Sequence, residues 1–282
     1  MKLHAHLKQL TLNNRTIRTY LETGKVCIDG MATADGGREV DDLRVSVDAS
    51  ARRCVPGRDP AILHRDEDLA VIYKPSGWLS TPALGRRDDN IVNWVRRHTG
   101  EAHAVHRLDE ATSGLMMVAL HVEAQQHIKQ QLAAREISRR YLALVRHNFP
   151  LHQVTYDSVL VRNRGDGKRG LARDAEDAAE GKRAVTHVVC RQRLLRDASL
   201  VEASLETGRT HQIRIHLAAA GFPVLGDKLY GSRGIASACT RLALHAWSLA
   251  FAHPRTGLAM RFSLPLADDL ERRRRALSTR LR

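Results

Sequence analysis

The sequence predicts a mixed α+β protein: a largely antiparallel sheet with flanking helices and a central cleft, preceded by a small α/β module. Three observations predict it. Apolar or alternating runs of strand length dominate residues 61–265, and few helical stretches separate them. Residues 51–60, Ala-Arg-Arg-Cys-Val-Pro-Gly-Arg-Asp-Pro, carry two prolines and a glycine without periodicity, which reads as a linker between residues 1–50 and 61–282. A chain of 282 residues is long enough to bury one large core beside a small one.

Taken in order, Arg15 to Glu22 has helical character, with Thr23-Gly24 as its C-terminal stop. Lys25 to Ile28 reads as a strand, Asp29-Gly30 as a hairpin turn and Asp42 to Val47 as an alternating strand. In the larger part, Leu69 to Tyr73 is a buried strand that ends in the turn Lys74-Pro75-Ser76-Gly77. Asn90 to His98 is a helix. His106 to Leu115 is a polar loop emptying into the apolar run Met116 to Leu120, with Thr112-Ser113-Gly114 as its turn. Glu123 to Glu136 spaces Ala124, Ile128 and Leu132 at i, i+4, i+8, the stripe of an amphipathic helix. Ser138 to Val145 alternates, with Tyr141, Ala143 and Val145 on one face. Residues 162–183 are Gly-, Asp- and basic-rich and read as a mobile loop. Strands follow at Gly181 to Val189 and Leu200 to Leu205. A helix of about three turns comes next, with Thr210 as N-cap and Gly221 as the residue after its C-cap. Leu242 to Phe251 is the last strand.

Charge narrows the partner. The net charge is +14, and residues 1–50 cancel to zero, so the whole excess lies in residues 51–282. That balance points to a polyanion, nucleic acid before membrane. The stretch Glu271 to Arg282 holds six arginines and reads as a solvated helix end or tail that can help to grip phosphate. No apolar run reaches the ~20 residues of a membrane span. The first eight residues lack the apolar stretch of a secretory signal. Cys27, Cys54, Cys190 and Cys239 are scattered, with no CxxC pair, which suits a reducing cytoplasm. Fifteen histidines include His103, His106, His211 and His216, but none has HExxH context, and His211 and His216 do not share a helix face. No metal site is expected.

Two strings carry more specific information. His106-Arg107-Leu108-Asp109-Glu110-Ala111-Thr112-Ser113-Gly114-Leu115 resembles the signature of the RluA-type pseudouridine synthases, whose Asp is the nucleophile. On spacing alone, Asp109 would more plainly be an acid bonding its own turn. Gly208-Arg209-Thr210-His211-Gln212-Ile213-Arg214-Ile215-His216, followed by Gly221-Phe222-Pro223-Val224-Leu225-Gly226-Asp227-Lys228-Leu229-Tyr230-Gly231, is similar to the family's second block. There an Arg pairs with the nucleophile, which implies Arg214 here. The family's Lys-x-Tyr is Arg139-Arg140-Tyr141 in this chain. The charge is kept and the donor geometry changed, and the resemblance places Tyr141 against the target base. The last strand matches as well, implying that one of Leu242 or Leu244 lines the base pocket. Residues 13–48 resemble the RNA-binding domain named after ribosomal small-subunit protein S-four, in which a basic helix face docks on structured RNA. Arg15, Arg18 and Lys25 fit such a face.

The resemblance implies an enzyme that isomerises uridine in structured RNA, rRNA favoured over tRNA, as a cytoplasmic monomer with no cofactor. Breaking N1–C1′ and rejoining through C5 needs no redox partner or group donor. It needs an ionised carboxylate beside the glycosidic bond, which Asp109 with Arg214 would supply, and a ring to hold the base, which Tyr141 would supply. Arg107 is the candidate to fill the gap left by an extruded base. Arg139 and Arg209 are candidate phosphate contacts, and Lys74 either touches phosphate or simply caps its strand. Whether Asp109 adds to the base, attacks C1′ or removes a ribose proton stays open. The alternative is a non-catalytic RNA-binding or ribosome-assembly protein.

Overall fold

The computed structural model describes residues 1–10, 13–22, 26–28, 31–32, 40, 45–47, 59–82, 90–150, 152–195 and 197–279. In the first module, α1 (Leu3–Gln9) and α2 (Asn14–Glu22) accompany three short strands, β1 (Val26–Ile28), β2 (Met31–Ala32) and β3 (Val45–Val47), paired antiparallel in the order β2-β1-β3. Leu3, Leu7, Ile17, Leu21, Val26 and Val40 form its core. Leu3 and Leu7 lie four apart on one face of α1, a helix the sequence reading did not foresee. The expected turn at Asp29-Gly30 lies outside the described residues.

Along the larger part run β4 (Ala61–Arg65), β5 (Leu69–Lys74), α3 (Ile91–Thr99), β6 (His103–Ala104), β7 (Ser113–Ala119), α4 (Val122–Ala133), β8 (Ser138–Arg146) and β9 (Val154–Val161). There follow β10 (Gly170–Leu171), α5 (Ala175–Glu180), β11 (Lys182–Leu194), β12 (Ala198–Leu205), α6 (Gln212–Ala219), α7 (Arg233–Ser237), β13 (Leu244–Ala252), β14 (Ala259–Ser263) and α8 (Asp268–Ser278). The strands make one sheet in the order β10-β9-β11-β12-β8-β13-β7-β5-β4, with β14 on β13 and β6 on β7. Its ladders are antiparallel, except that β13 runs parallel to β7 through His245–Ser113 and Ala246–Gly114.

The unbroken apolar runs of β5 and β7 have a cause in the sheet. Both strands are covered on both faces, and their alternating side chains divide between two cores. Ala70, Ile72, Met116 and Val118 face the larger one; Leu69, Val71, Tyr73, Leu115 and Met117 face the other. Helix ends follow side-chain chemistry. Asn90 caps α3 by accepting the Asn93 N–H at 2.9 Å, and His121 caps α4.

Two expectations are corrected. Residues 162–183 are not one loop, because Asp174 accepts the Asp177 N–H at 2.8 Å and opens α5 on an Ala- and Glu-rich run. Thr210 is not the N-cap of α6; that position belongs to His211. The arginine run belongs to α8, which buries Leu270 and Leu277, while Glu271 binds Arg274 at 2.7 Å and Arg275 at 2.8 Å. Among the described residues no helix is long and apolar enough to cross a membrane.

Candidate active site

The site lies where β8, β13 and β7 meet at the centre of the sheet. An open cleft of about 820 Å3 is lined there by the loop before β7, the start of β13, Tyr141 of β8 and the segment between β12 and α6. Asp109 sits in the loop before β7, and that loop is held by the segment after β5. Ser80 Oγ donates to the Leu108 carbonyl at 2.7 Å and accepts the Leu108 N–H at 2.9 Å. Ser76 Oγ donates to Ala111 O at 2.8 Å, and the Gly77 N–H to Glu110 O at 2.8 Å. His106 accepts the Met117 N–H at 3.0 Å from the other side. Gly114 closes the turn at φ +121°, where a Cβ would come within 2.1 Å of the Ala246 carbonyl. Only glycine lets β13 approach so closely.

Lys74 belongs to this clamp, and its expected phosphate contact is corrected. It is fully buried, and its ammonium donates to Pro75 O, Trp78 O and Glu110 O at 3.0, 2.7 and 3.0 Å. Burial pushes its pKa down to about 7, while the Asp109 and Glu110 charges pull the other way. Three carbonyl acceptors match the three donors of an ammonium. Its reach to solvent is nil.

Arg214 stands opposite the loop on α6. Its Nη1 donates to Asp109 Oδ2 at 3.2 Å, while Nε and Nη2 grip Asp227 Oδ2 and Oδ1 at 2.8 and 2.9 Å. Asp227 Oδ1 also accepts the N–H groups of Leu229 and Tyr230, at 2.9 and 3.0 Å. Burial alone would raise the Asp227 carboxyl, but Arg214 and those amides hold it below the usual carboxylate range. Burial likewise works against the Arg214 charge, and Asp227 then Asp109 more than restore it. Tyr230 underlies the guanidinium, 5.1 Å from its ring centre. So one buried acid fixes the arginine, and the arginine fixes one oxygen of a half-buried acid in the cleft. Among the described residues no hydrogen bond reaches Asp109 Oδ1; the nearest ring nitrogen, His211 Nε2, is 3.9 Å away.

The string around Arg214 has its own internal logic. Gln212 Oε1 accepts from Thr207 Oγ1 and the Arg209 N–H, and its amide donates to Val185 O and Thr186 Oγ1. His216 bridges Thr186 and Ser158, each at 2.9 Å. These bonds tie the cleft wall to β11 and β9. His211 takes the left-handed backbone (φ +61°, ψ 15°), which costs a non-glycine residue roughly 1–2 kcal/mol.

The remaining candidates divide. Tyr141 is 7% exposed and lines the cleft, and burial pushes its phenol up to about 12, so it keeps its proton. Arg107, Arg139 and Arg209 line the cleft as well; Arg139 reaches Glu206 O and Arg209 reaches Arg183 O. Leu244 lines the cleft, whereas Leu242 packs in the larger core away from it. Arg15 and Arg18 are exposed on α2, and Lys25 lies outside the described residues. Asp227, Tyr230, Gln212 and Ser80 were not foreseen as site residues. A second acidic group, Asp66 and Asp68 with His253, sits at the β4–β5 turn and does not line the cleft. Asp68 is taken up by Arg255 and His121, and Asp66 by His64 and two backbone amides.

An open cleft lined by Arg107, Arg139, Arg209 and Arg214, with Asp109 bonded to Arg214, thus crosses the largely antiparallel sheet. The family profile described as RNA pseudouridylate synthase matches residues 68–219, and the chain belongs to that family. It is 37% identical over 221 residues to the uncharacterized RNA pseudouridine synthase YlyB of Bacillus subtilis, a match covering 75% of this chain and 71% of that one. It is 34% identical over 281 residues to ribosomal large subunit pseudouridine synthase D of Xanthomonas campestris, covering 92% and 82%. Among solved structures, human RNA pseudouridylate synthase domain containing 1 superposes with a TM-score of 0.62 at 27% identity, covering 74% of this chain and 84% of that one.

Proposed function

We propose that this protein isomerises uridine to pseudouridine in large-subunit ribosomal RNA, with Asp109 as the nucleophile. The observation that carries the reading is the Asp109–Arg214 pair at 3.2 Å, itself anchored by Asp227, on the floor of an open cleft. The reaction breaks N1–C1′, turns the uracil and joins C5 to C1′; N1 gains a proton and C5 loses one, so no oxidant or donor enters. Arg214 restrains Asp109 through Oδ2 and leaves Oδ1 facing the cleft. Tyr141 offers a ring for stacking, and Leu244 an apolar wall beside it. Arg107 fills the gap left by the extruded base, and Arg139 and Arg209 hold backbone phosphate.

The net +14 charge, all of it beyond residue 50, supports RNA as the substrate. Several relatives bear the name ribosomal large subunit pseudouridine synthase D, which supports rRNA over tRNA. We infer that residues 1–50 serve as an S-four-like docking module, with Arg15 and Arg18 exposed on α2. A purely binding role would have no use for a carboxylate held toward a polyanion. Pseudouridine mapping across total RNA from cells with and without the gene tests the proposal. One or a few sites in large-subunit rRNA should vanish with the gene; an unchanged map, or losses confined to tRNA, contradicts it.

A further inference from the structure

His211 is not accounted for by the roles above. It occupies an unfavourable left-handed conformation at the start of α6, where its carbonyl accepts the Ile215 N–H at 2.9 Å while its side chain caps nothing, and its ring lines the cleft. The ring is fixed. Nδ1 is bonded to the Tyr230 hydroxyl at 2.9 Å, with the two rings edge to face at 5.6 Å. That leaves Nε2 pointing past Asp109 Oδ1, the oxygen Arg214 does not hold, at 3.9 Å. The separation is too long for a direct hydrogen bond and short enough for one hydroxyl to touch both atoms.

Nucleotide geometry then says which hydroxyl. Every route open to Asp109 brings its free oxygen against C6, C1′ or the C2′ proton. C6 and C2′ each lie within two bonds of C1′. A group beside that oxygen therefore faces the sugar end of the nucleotide, not the far edge of the uracil. The 2′-oxygen is itself two bonds from C1′. Resting on the assignment of Asp109 as nucleophile, we propose that His211 Nε2 binds the 2′-hydroxyl of the target ribose, with Tyr230 as the residue that positions the ring. A hydroxyl both donates and accepts, so it partners either neutral tautomer of a ring whose other nitrogen faces a phenol. Burial moves the His211 ring below the usual imidazole range, against the pull of Asp109, which keeps it neutral and so keeps it from pairing with the nucleophile. The site would thereby read the feature that separates RNA from DNA at the residue it modifies.

The test uses a stem-loop carrying the mapped target, made once with uridine and once with 2′-deoxyuridine at that position. Binding is measured to the full-length Asp109→Asn protein, in which turnover is switched off, and to the same protein with His211→Gly, a residue that adopts the left-handed backbone without strain. Asp109→Asn should bind the uridine RNA about threefold to tenfold tighter than the deoxyuridine RNA, the scale of one neutral hydrogen bond. Adding His211→Gly should bring that ratio below about twofold, and adding Tyr230→Phe instead should bring it part of the way. A merely structural role would weaken both RNAs alike and leave the ratio unmoved. No preference at the outset, or a preference that survives both substitutions, overturns the inference. Pseudouridine formation by Asp109→Asn, scored on the same uridine RNA, would instead remove the nucleophile assignment on which it rests.

Discussion

Asp227→Asn isolates the anchoring of Arg214. The wild-type carboxylate is 1% exposed, grips the guanidinium through two bonds of 2.8 and 2.9 Å, and receives two backbone amides. Breaking a buried ion pair from one side costs about 3–5 kcal/mol. Asparagine keeps an oxygen for the Leu229 and Tyr230 amides, so the expected loss is nearer the lower figure, about 3 kcal/mol. Arg214 then keeps its contacts to Asp109 and to the Tyr230 ring but loses the two-pronged carboxylate grip, and a nucleophile misplaced by about 1 Å loses on the order of 100-fold in rate. Urea unfolding gives the first number, and single-turnover pseudouridine formation the second, with RNA affinity expected to stay within about threefold because Asp227 is shielded from the cleft. The pH dependence carries a sign. A carboxyl held below its unfolded value contributes stability above about pH 4 and loses it as pH falls through its folded pKa. The difference between wild type and Asp227→Asn should therefore be full at pH 7 and shrink toward pH 3. Wild-type rate and stability in Asp227→Asn would show that the arginine is placed by something else.

Lys74→Met should lower stability by about 3 kcal/mol or more, because three carbonyls lose their donor, and should slow catalysis by loosening the Asp109 loop; unchanged urea unfolding would contradict the clamp. Burial pushes His106 and His245 to about 3 and His216 to about 4. An unfolded imidazole binds a proton below about pH 6.5 and these three do not, so each should cost about 1.4 kcal/mol between pH 7.5 and 5.5, partly offset by solvent-screened His121, whose pKa is raised by Asp68. Denaturant midpoints at the two pH values check this, and equal midpoints would refute it. Deleting residues 1–50 should weaken RNA binding or blur site choice without abolishing isomerisation; unchanged affinity and selectivity would reject a targeting role for that module.

Much of this site was legible because it is written locally. The strings His106 to Leu115 and Gly208 to His216 resemble the family's signatures, and that resemblance singled out Asp109 and Arg214; on spacing alone Asp109 would bond its own turn and Arg214 would face solvent. What was not legible depends on contacts between distant segments. Asp227 lies in a turn with no periodicity, and nothing in its neighbourhood reveals that two amides and a guanidinium converge on it. Of the two readings of Lys74, the structure keeps the strand cap and excludes the phosphate contact, which assumed that a lysine at a strand end reaches solvent. Its position at the end of the wholly buried run Leu69 to Tyr73 was the available signal. Helix α5 was hidden by the glycines and charges around it, although Asp174 followed by an Ala- and Glu-rich run is a helix start. The place of His211 could not be found from propensity, since its ring is fixed by Tyr230, nineteen residues further along the chain.

The most direct measurement is pseudouridine formation by Asp109→Asn on an unmodified large-subunit rRNA transcript, read by carbodiimide primer extension beside an RNA-binding curve. The account predicts that binding persists and that no pseudouridine appears at the site wild-type protein modifies. A stop at that position in the variant's lane would contradict it.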